Sequence, residues 1–326
     1  MLPGSSRSSI LGGALCLCLW PAVGCTDQPA VHETAASVIE GTPDFVHTFA
    51  VGVCTAAVAR GETCTLDPAV GDRCSGTLVA PNLVLTARHC LQGIAFGADL
   101  CTSNFEGTPR TTDQLWVTLD PSTIHGHPRW LATAEVIVPT ETNLCAADIA
   151  LLRLARDVPA ALAVPVDVDV NRELAEDPPA SMSLVGRGAI FEQYTDFTTF
   201  TETVHDGGLI RRVRKDIPIT CVSDDGTCTA VDFTSPPTNV FALSSPLILA
   251  GRGGALGDSG AGWYTDLDTP GAPTRVIGVD MGITVGADGF SNSTFGSRLD
   301  VHKDFLVAAA KAAAAKGGYP VPCWAR

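Results

Sequence analysis

The chain predicts an all-β fold, a sandwich or a pair of barrels, with one helix near its C-terminal end. Short apolar, β-prone stretches such as Leu78-Val79-Ala80 and Leu83-Val84-Leu85 recur between turn signals. The 32 glycines and 22 prolines make the chain turn often. Helical periodicity holds only from about Val301 to Lys316, where Gly317-Gly318 stops it and Pro320 forbids its continuation. With 326 residues, 45% of them hydrophobic, the chain is long enough to bury a substantial core.

Taken in order, residues 1–24 read as an export signal. Arg7 supplies a weak positive start, Ile10 to Trp20 is apolar but too short to span a bilayer, and Ala22-Val23-Gly24 places small residues before Cys25. Two readings of Cys25 stand. Cleavage before it releases a soluble secreted protein, or Ala22-Val23-Gly24-Cys25 acts as a bacterial lipobox and Cys25 carries a lipid that anchors the protein to the outer membrane. The lipobox is preferred although Ala22 stands where Leu is usual. The catalytic part leaves the cytoplasm either way. Residues 25–37 are a polar spacer or propeptide without apolar period, and 317–326 form a tail.

Composition excludes several functions. The formal net charge is −14, and no basic cluster is large enough for a nucleic-acid face. The run Arg211-Arg212-Val213-Arg214-Lys215 is read as the wet side of a strand. His125-Gly126-His127 lacks a further ligand at zinc spacing and is read as a loop, so no metal is expected. No phosphate cradle or cofactor motif is present, and membrane contact is expected only through lipid on Cys25.

Three segments carry the chemistry: Leu85-Thr86-Ala87-Arg88-His89-Cys90, Asp148-Ile149-Ala150-Leu151-Leu152 and Gly257-Asp258-Ser259-Gly260. They supply an imidazole, a carboxylate and a hydroxyl in the order His, Asp, Ser. A serine hydroxyl needs a base within hydrogen-bond reach, and that base needs an orienting group. Ser259 is thus the candidate nucleophile, His89 the general base and then acid, and Asp148 the group that holds the imidazole tautomer.

These segments and their flanks, from about Val38 to Leu306, resemble the trypsin/chymotrypsin family of serine proteases. The resemblance implies two packed six-stranded antiparallel β-barrels within a peptidase domain over 38–316: a first barrel over about 38–165, a second over 166–300, and a C-terminal helix over 301–316. Pro159, Pro165 and Pro178-Pro179 suit the crossing between them, and Leu184-Val185-Gly186-Arg187-Gly188 resembles the family's Gly-Trp-Gly turn with Arg187 in place of Trp. It further implies an oxyanion hole from the Gly257 and Ser259 amides, and a buried ion pair between Asp258 and a new α-ammonium at Val38. Ser37 precedes Val38, so a trypsin-like activator is not expected. Counting six back from Ser259 places Gly253 at the floor of the specificity pocket, with Gly254 beside it and Ser293 narrowing it. Ala255 replaces the usual wall cysteine, and Asp280 is read as either repelling Asp148 or facing solvent. A neutral pocket for small or aliphatic side chains follows, rather than one for Arg or Lys. Arg88, beside the base, is read as pointing to solvent. Expected partners are polypeptide substrates and proteinaceous inhibitors, and the sequence leaves the oligomeric state open.

Of 12 cysteines, Cys16 and Cys18 leave with the signal. The resemblance pairs Cys74 with Cys90 across the histidine segment, contributing on the order of 3 kcal/mol in the loop-entropy description. Cys54 with Cys64 and Cys221 with Cys228 are local pairs; Cys101, Cys145 and Cys323 are left over, with Cys25 available to one of them if it carries no lipid. Two rival readings remain: an α/β-hydrolase esterase using Ser259, Asp280 or Asp288, and His302; and a protease-shaped binding protein with little or no turnover.

Overall fold

The computed structural model describes residues 38, 40–56, 64, 73–97, 100–123, 126, 128–188, 191–196, 201–205, 210–224, 228–232, 239–243, 246–286 and 291–326. Strands dominate. Ala50–Cys54, Arg73–Ala80, Leu83–Thr86, Ala150–Leu154, Trp130–Ile137 and Trp116–Thr118 pair in that order, and the last returns to the first, closing an antiparallel barrel. Arg212–Ser223, Ser181–Gly186, Gly262–Thr265, Arg275–Val285, Ser291–Arg298 and Leu247–Gly251 close a second ring in the same manner. Closure leaves neither barrel with a free edge. Among the described residues three two-stranded antiparallel pairs lie outside the barrels: Gly93–Ala95 with Asn104–Glu106, Phe191–Asp196 with Thr201–His205, and Cys228–Asp232 with Asn239–Leu243.

The strand pattern follows from burial. Arg73–Ala80 is buried at every position after the first, so both of its faces are covered. One residue set fills the first barrel. The other meets the second barrel, where Thr77 Oγ1 and Tyr264 Oη share a hydrogen bond of 2.6 Å. Pro81-Asn82 makes the tight turn into Leu83–Thr86.

Between the barrels lies buried charge. Arg211, placed by sequence on a wet strand face, is instead 1% exposed. Its guanidinium pairs with Asp44 (2.9 Å) and donates to the Ala50 and Leu119 carbonyls (3.1 and 3.2 Å). The reading failed because a partner carboxylate and two carbonyls from far along the chain replace water around the cation. Arg187 is buried as well; it donates to the Ala50 carbonyl (3.0 Å) and to that of Asp120. Burial would raise the Asp44 carboxyl, but hydrogen bonds from His47 and the Val46 amide, with the Arg211 charge, outweigh it and hold the group well below the usual carboxylate range.

The C-terminal helix runs Lys303–Gly317 after a 3-10 turn at Asp300–His302. Leu306, Ala309, Ala310, Ala313 and Ala314 are buried, so small side chains let the helix lie close to the core. Gly318, at φ 71°, ends it with a bond from its amide to the Ala314 carbonyl (2.8 Å). Beyond it, Tyr319 reaches Asn82 (2.7 Å) and Trp324 reaches the Val79 carbonyl (3.1 Å), tying the tail to the first barrel. Among the described residues no helix is long and apolar enough to cross a membrane. Residues 1–37, including Cys25, lie outside the described residues, as do His125, His127 and Asp288.

Candidate active site

Leu83–Thr86 and Ala150–Leu154 are antiparallel neighbours, with Thr86 opposite Ala150. His89 follows the end of the first strand and Asp148 precedes the start of the second, so the register alone brings them to one end of the barrel. His89 sits in the 3-10 turn Arg88–Cys90, which Cys90 ties to Cys74 by a disulfide. Asp148 follows the short helix Leu144–Ala147, whose N-cap Asn143 accepts from the Ala146 amide (3.0 Å). Cys101 and Cys145, left over at the sequence level, form a disulfide that holds this helix to the 3-10 turn Leu100–Thr102.

Asp148 is fully buried and grips His89 twice. One carboxylate oxygen accepts the His89 backbone amide (2.8 Å), the other lies 2.7 Å from Nδ1. A carboxylate on Nδ1 assigns the ring proton to that nitrogen and leaves Nε2 as the acceptor. Ser297 Oγ, from the second barrel, donates to the Asp148 carbonyl (3.3 Å).

The second barrel presents Ser259 on the turn leading into Gly262–Thr265. Ser75 of the first barrel clamps that turn: its amide donates to the Ser259 carbonyl (2.8 Å) and its hydroxyl to the Gly257 carbonyl (2.9 Å). Ser75 adjoins Cys74, which is bonded to Cys90 next to His89, so the serine turn and the histidine turn are held at the same crevice. Gly257 and Gly260 have φ of 95° and 85°, a region that disfavours side chains. A Cβ at Gly260 would also run into the Ser75 carbonyl and Thr86 Oγ1. Among the described residues the Gly257 and Ser259 amides donate to no protein acceptor, and the Ser259 hydroxyl makes no hydrogen bond.

Asp258 is buried and accepts from the Gly188 amide (2.7 Å) and the Ala255 amide (3.0 Å). Val38 is fully buried in an apolar cluster with Leu184, Ile217 and Ala261, in the same part of the second barrel. Its φ of 42° is a strained value for a β-branched residue.

Gly253 and Gly254 pack closely against neighbouring strands of the second barrel. A Cβ on Gly253 would come within 2.8 Å of Ile217 Cδ1, and one on Gly254 within 2.8 Å of Thr294 Oγ1 and 3.2 Å of both Asp280 oxygens. Ser293 turns its hydroxyl to Thr284 (2.6 Å), and the side chain that meets the two glycines from this strand is Thr294. Asp280 does not face solvent: it is 1% exposed and accepts from Thr294 Oγ1 (2.6 Å) and Trp263 Nε1 (3.2 Å). Burial raises its carboxyl to about 7 despite those bonds.

Arg88 corrects another expectation. It is buried, not solvent-facing: Nε donates to Gln92 (2.9 Å), Nη1 donates to the Pro139 and Glu141 carbonyls (3.2 and 2.6 Å), and the guanidinium lies 4.4 Å from the Phe105 ring centroid. It therefore joins the histidine turn to the segment leading to Asp148. Sequence reasoning set Arg88 and Asp280 beside the candidate triad without foreseeing their burial, and it did not single out Thr294. Their only signal was polar character next to a motif.

Cys54–Cys64 and Cys221–Cys228 are also bonded, and Cys323 is a free, exposed thiol among the described cysteines. The esterase reading requires a helix after the nucleophile. A strand, Gly262–Thr265, follows instead, and two closed barrels replace the α/β sheet. A family model described as Trypsin matches residues 50–261, a span that contains His89, Asp148 and Ser259. No curated protein matches the chain.

Proposed function

The chain belongs to the trypsin family, and on that premise we propose that it is a serine endopeptidase acting through Ser259, His89 and Asp148. The observation that carries the reading is the double hydrogen bond from His89 to a fully buried Asp148 (2.8 and 2.7 Å). A core histidine needs no such carboxylate, whereas a base that must cycle through imidazolium does. In this reading Ser259 Oγ attacks the scissile carbonyl while its proton passes to His89 Nε2. The carbonyl oxygen becomes an oxyanion received by the unused Gly257 and Ser259 amides, each worth about 3 kcal/mol of barrier. His89 then returns the proton to the leaving amine. Water repeats the sequence on the acyl-enzyme, restoring the serine.

We assign Val38 as the working N-terminus, its ammonium pairing with Asp258. The strained φ at Val38 (42°) and its burial beside Ala261 support cleavage before it. The residue on the acyl side of the scissile bond is small or aliphatic in this reading, because Gly253 stands where a pocket for Arg or Lys would carry a carboxylate. We place the peptidase domain at 38–316 and the protein outside the cytoplasm. The four disulfides are consistent with an oxidising compartment. Lipid on Cys25 is retained as the mode of anchoring.

One observation favours a second reading, a protease-shaped binding protein: the Ser259 hydroxyl bonds nothing among the described residues. A fluorophosphonate probe separates the two. Covalent labelling that Ser259→Ala and His89→Ala both abolish supports the endopeptidase. A folded, disulfide-intact chain beginning at Val38 that resists the probe ends it.

A further inference from the structure

Beside the base lies a cavity of about 290 Å³ that the chemistry above does not use, lined in part by His89, Gln92, Ile94, Phe96, Thr108 and Arg110. Its size suits a single side chain rather than a whole small-molecule ligand. Its walls are held apart by bonds that do not depend on an occupant. Gln92 donates to the Gly107 carbonyl (2.8 Å) and accepts from Arg88, while the Arg110 amide donates to the Leu91 carbonyl (2.7 Å). Strands Gly93–Ala95 and Asn104–Glu106 pair along one side.

Two features of the lining specify an occupant. Phe96 leaves its ring 77% exposed at the cavity, and Ile94 adds apolar surface beside it. Arg110 forms no ion pair among the described residues, whereas Arg129, Arg153 and Arg172 each hold a carboxylate. In a chain of net charge −14 an uncommitted guanidinium beside the candidate base stands out. An aromatic face with an aliphatic neighbour fits a methylene stem, and a guanidinium with a threonine hydroxyl fits a carboxylate head.

We propose that this cavity is a substrate subsite for an acidic side chain, glutamate above all, close in sequence to the scissile bond, with Arg110 receiving the carboxylate and Phe96 covering the stem. The proposal rests on the endopeptidase reading and adds to it a preference that the neutral pocket near Gly253 does not supply. An ion pair at a partly open site is worth a modest factor, so the expected discrimination is about three- to tenfold in kcat/KM over the neutral amide, shrinking as salt is raised.

The experiment is cleavage-site profiling of a peptide library by protein beginning at Val38 that labels with the fluorophosphonate probe. The expected result is Glu enrichment at one position within three residues of the cut. Arg110→Glu should convert that enrichment to Lys or Arg at the same position, an inversion that a merely structural arginine would not produce. Phe96→Ala should lower kcat/KM for Glu substrates more than for Asp substrates. A labelled enzyme with no acidic enrichment, or with enrichment that Arg110→Glu leaves in place, overturns the subsite while leaving the endopeptidase standing. A wild type that never labels overturns both.

Discussion

The two halves of the crevice are built by different means. On the first-barrel side, Cys74–Cys90 and Cys101–Cys145 brace the turns that carry His89 and Asp148, and Arg88 ties the histidine turn to the segment leading to Asp148 with two hydrogen bonds. On the second-barrel side, Ser259 hangs on glycines at positive φ and on Asp258 gripping two amides, and Ala255 stands where a disulfide cysteine would close the pocket wall. The base and its orienter are therefore set by covalent and ionic ties. Ser259 and the neighbouring amides are set by backbone shape. In the proposed endopeptidase, such a site keeps its proton-transfer half ready and leaves the charge-stabilising half to be completed by the Val38 ammonium.

The comparison breaks most severely at Asp148. Asp148→Asn keeps the shape but exchanges an acceptor for an amide that can favour the wrong tautomer, so kcat should fall by about 10⁴-fold with little loss of stability. Steady-state kinetics beside a thermal melt measure this, and a loss below tenfold would show that His89 does not work through Asp148. A smaller effect is expected on the other side. Asp258→Asn, or acetylation of the Val38 amine, should lower kcat by about 10²- to 10³-fold through the oxyanion amides while KM changes little. Wild-type activity should likewise decline at alkaline pH as the Val38 ammonium loses its proton. Full activity in material whose Ser37–Val38 bond is intact, read by N-terminal sequencing, would contradict the assignment.

The smallest effect sharpens the contrast through pH. Asp280 holds its proton to about 7 in the folded chain against 3.8 ordinarily. The folded state thus binds more protons than the unfolded state between those values, and this group's contribution to stability is lost as pH rises from about 4 to about 7, with no further loss above. Asp280→Asn removes that dependence. The variant should gain on wild type across that window by up to a few kcal/mol, then run parallel to it. Urea unfolding at pH 4 to 8 reads the difference, and parallel curves throughout would refute the buried protonated carboxyl.

The strand-rich class, the terminal helix with its glycine stop and the His, Asp, Ser order were legible because each is written in local pattern or in short motifs. What escaped was charge in the interior. Arg88 and Arg211 read as surface residues, since a guanidinium is dry only when carbonyls and carboxylates surround it. Those partners lie far along the chain: the carbonyls of Pro139 and Glu141 are 51 and 53 residues from Arg88, and that of Ala50 is 161 from Arg211. Cysteine spacing left Cys101–Cys145 open for the same reason, because connectivity over a 44-residue separation is decided by the fold.

The Ala50 carbonyl accepts from both Arg187 and Arg211. That one oxygen makes the seam between the barrels answerable to both of them. Substitution at Asp44, or displacement of the strand that carries Ala50, would strand cations in a dry joint, so changes on either side can be accommodated only in concert with the other.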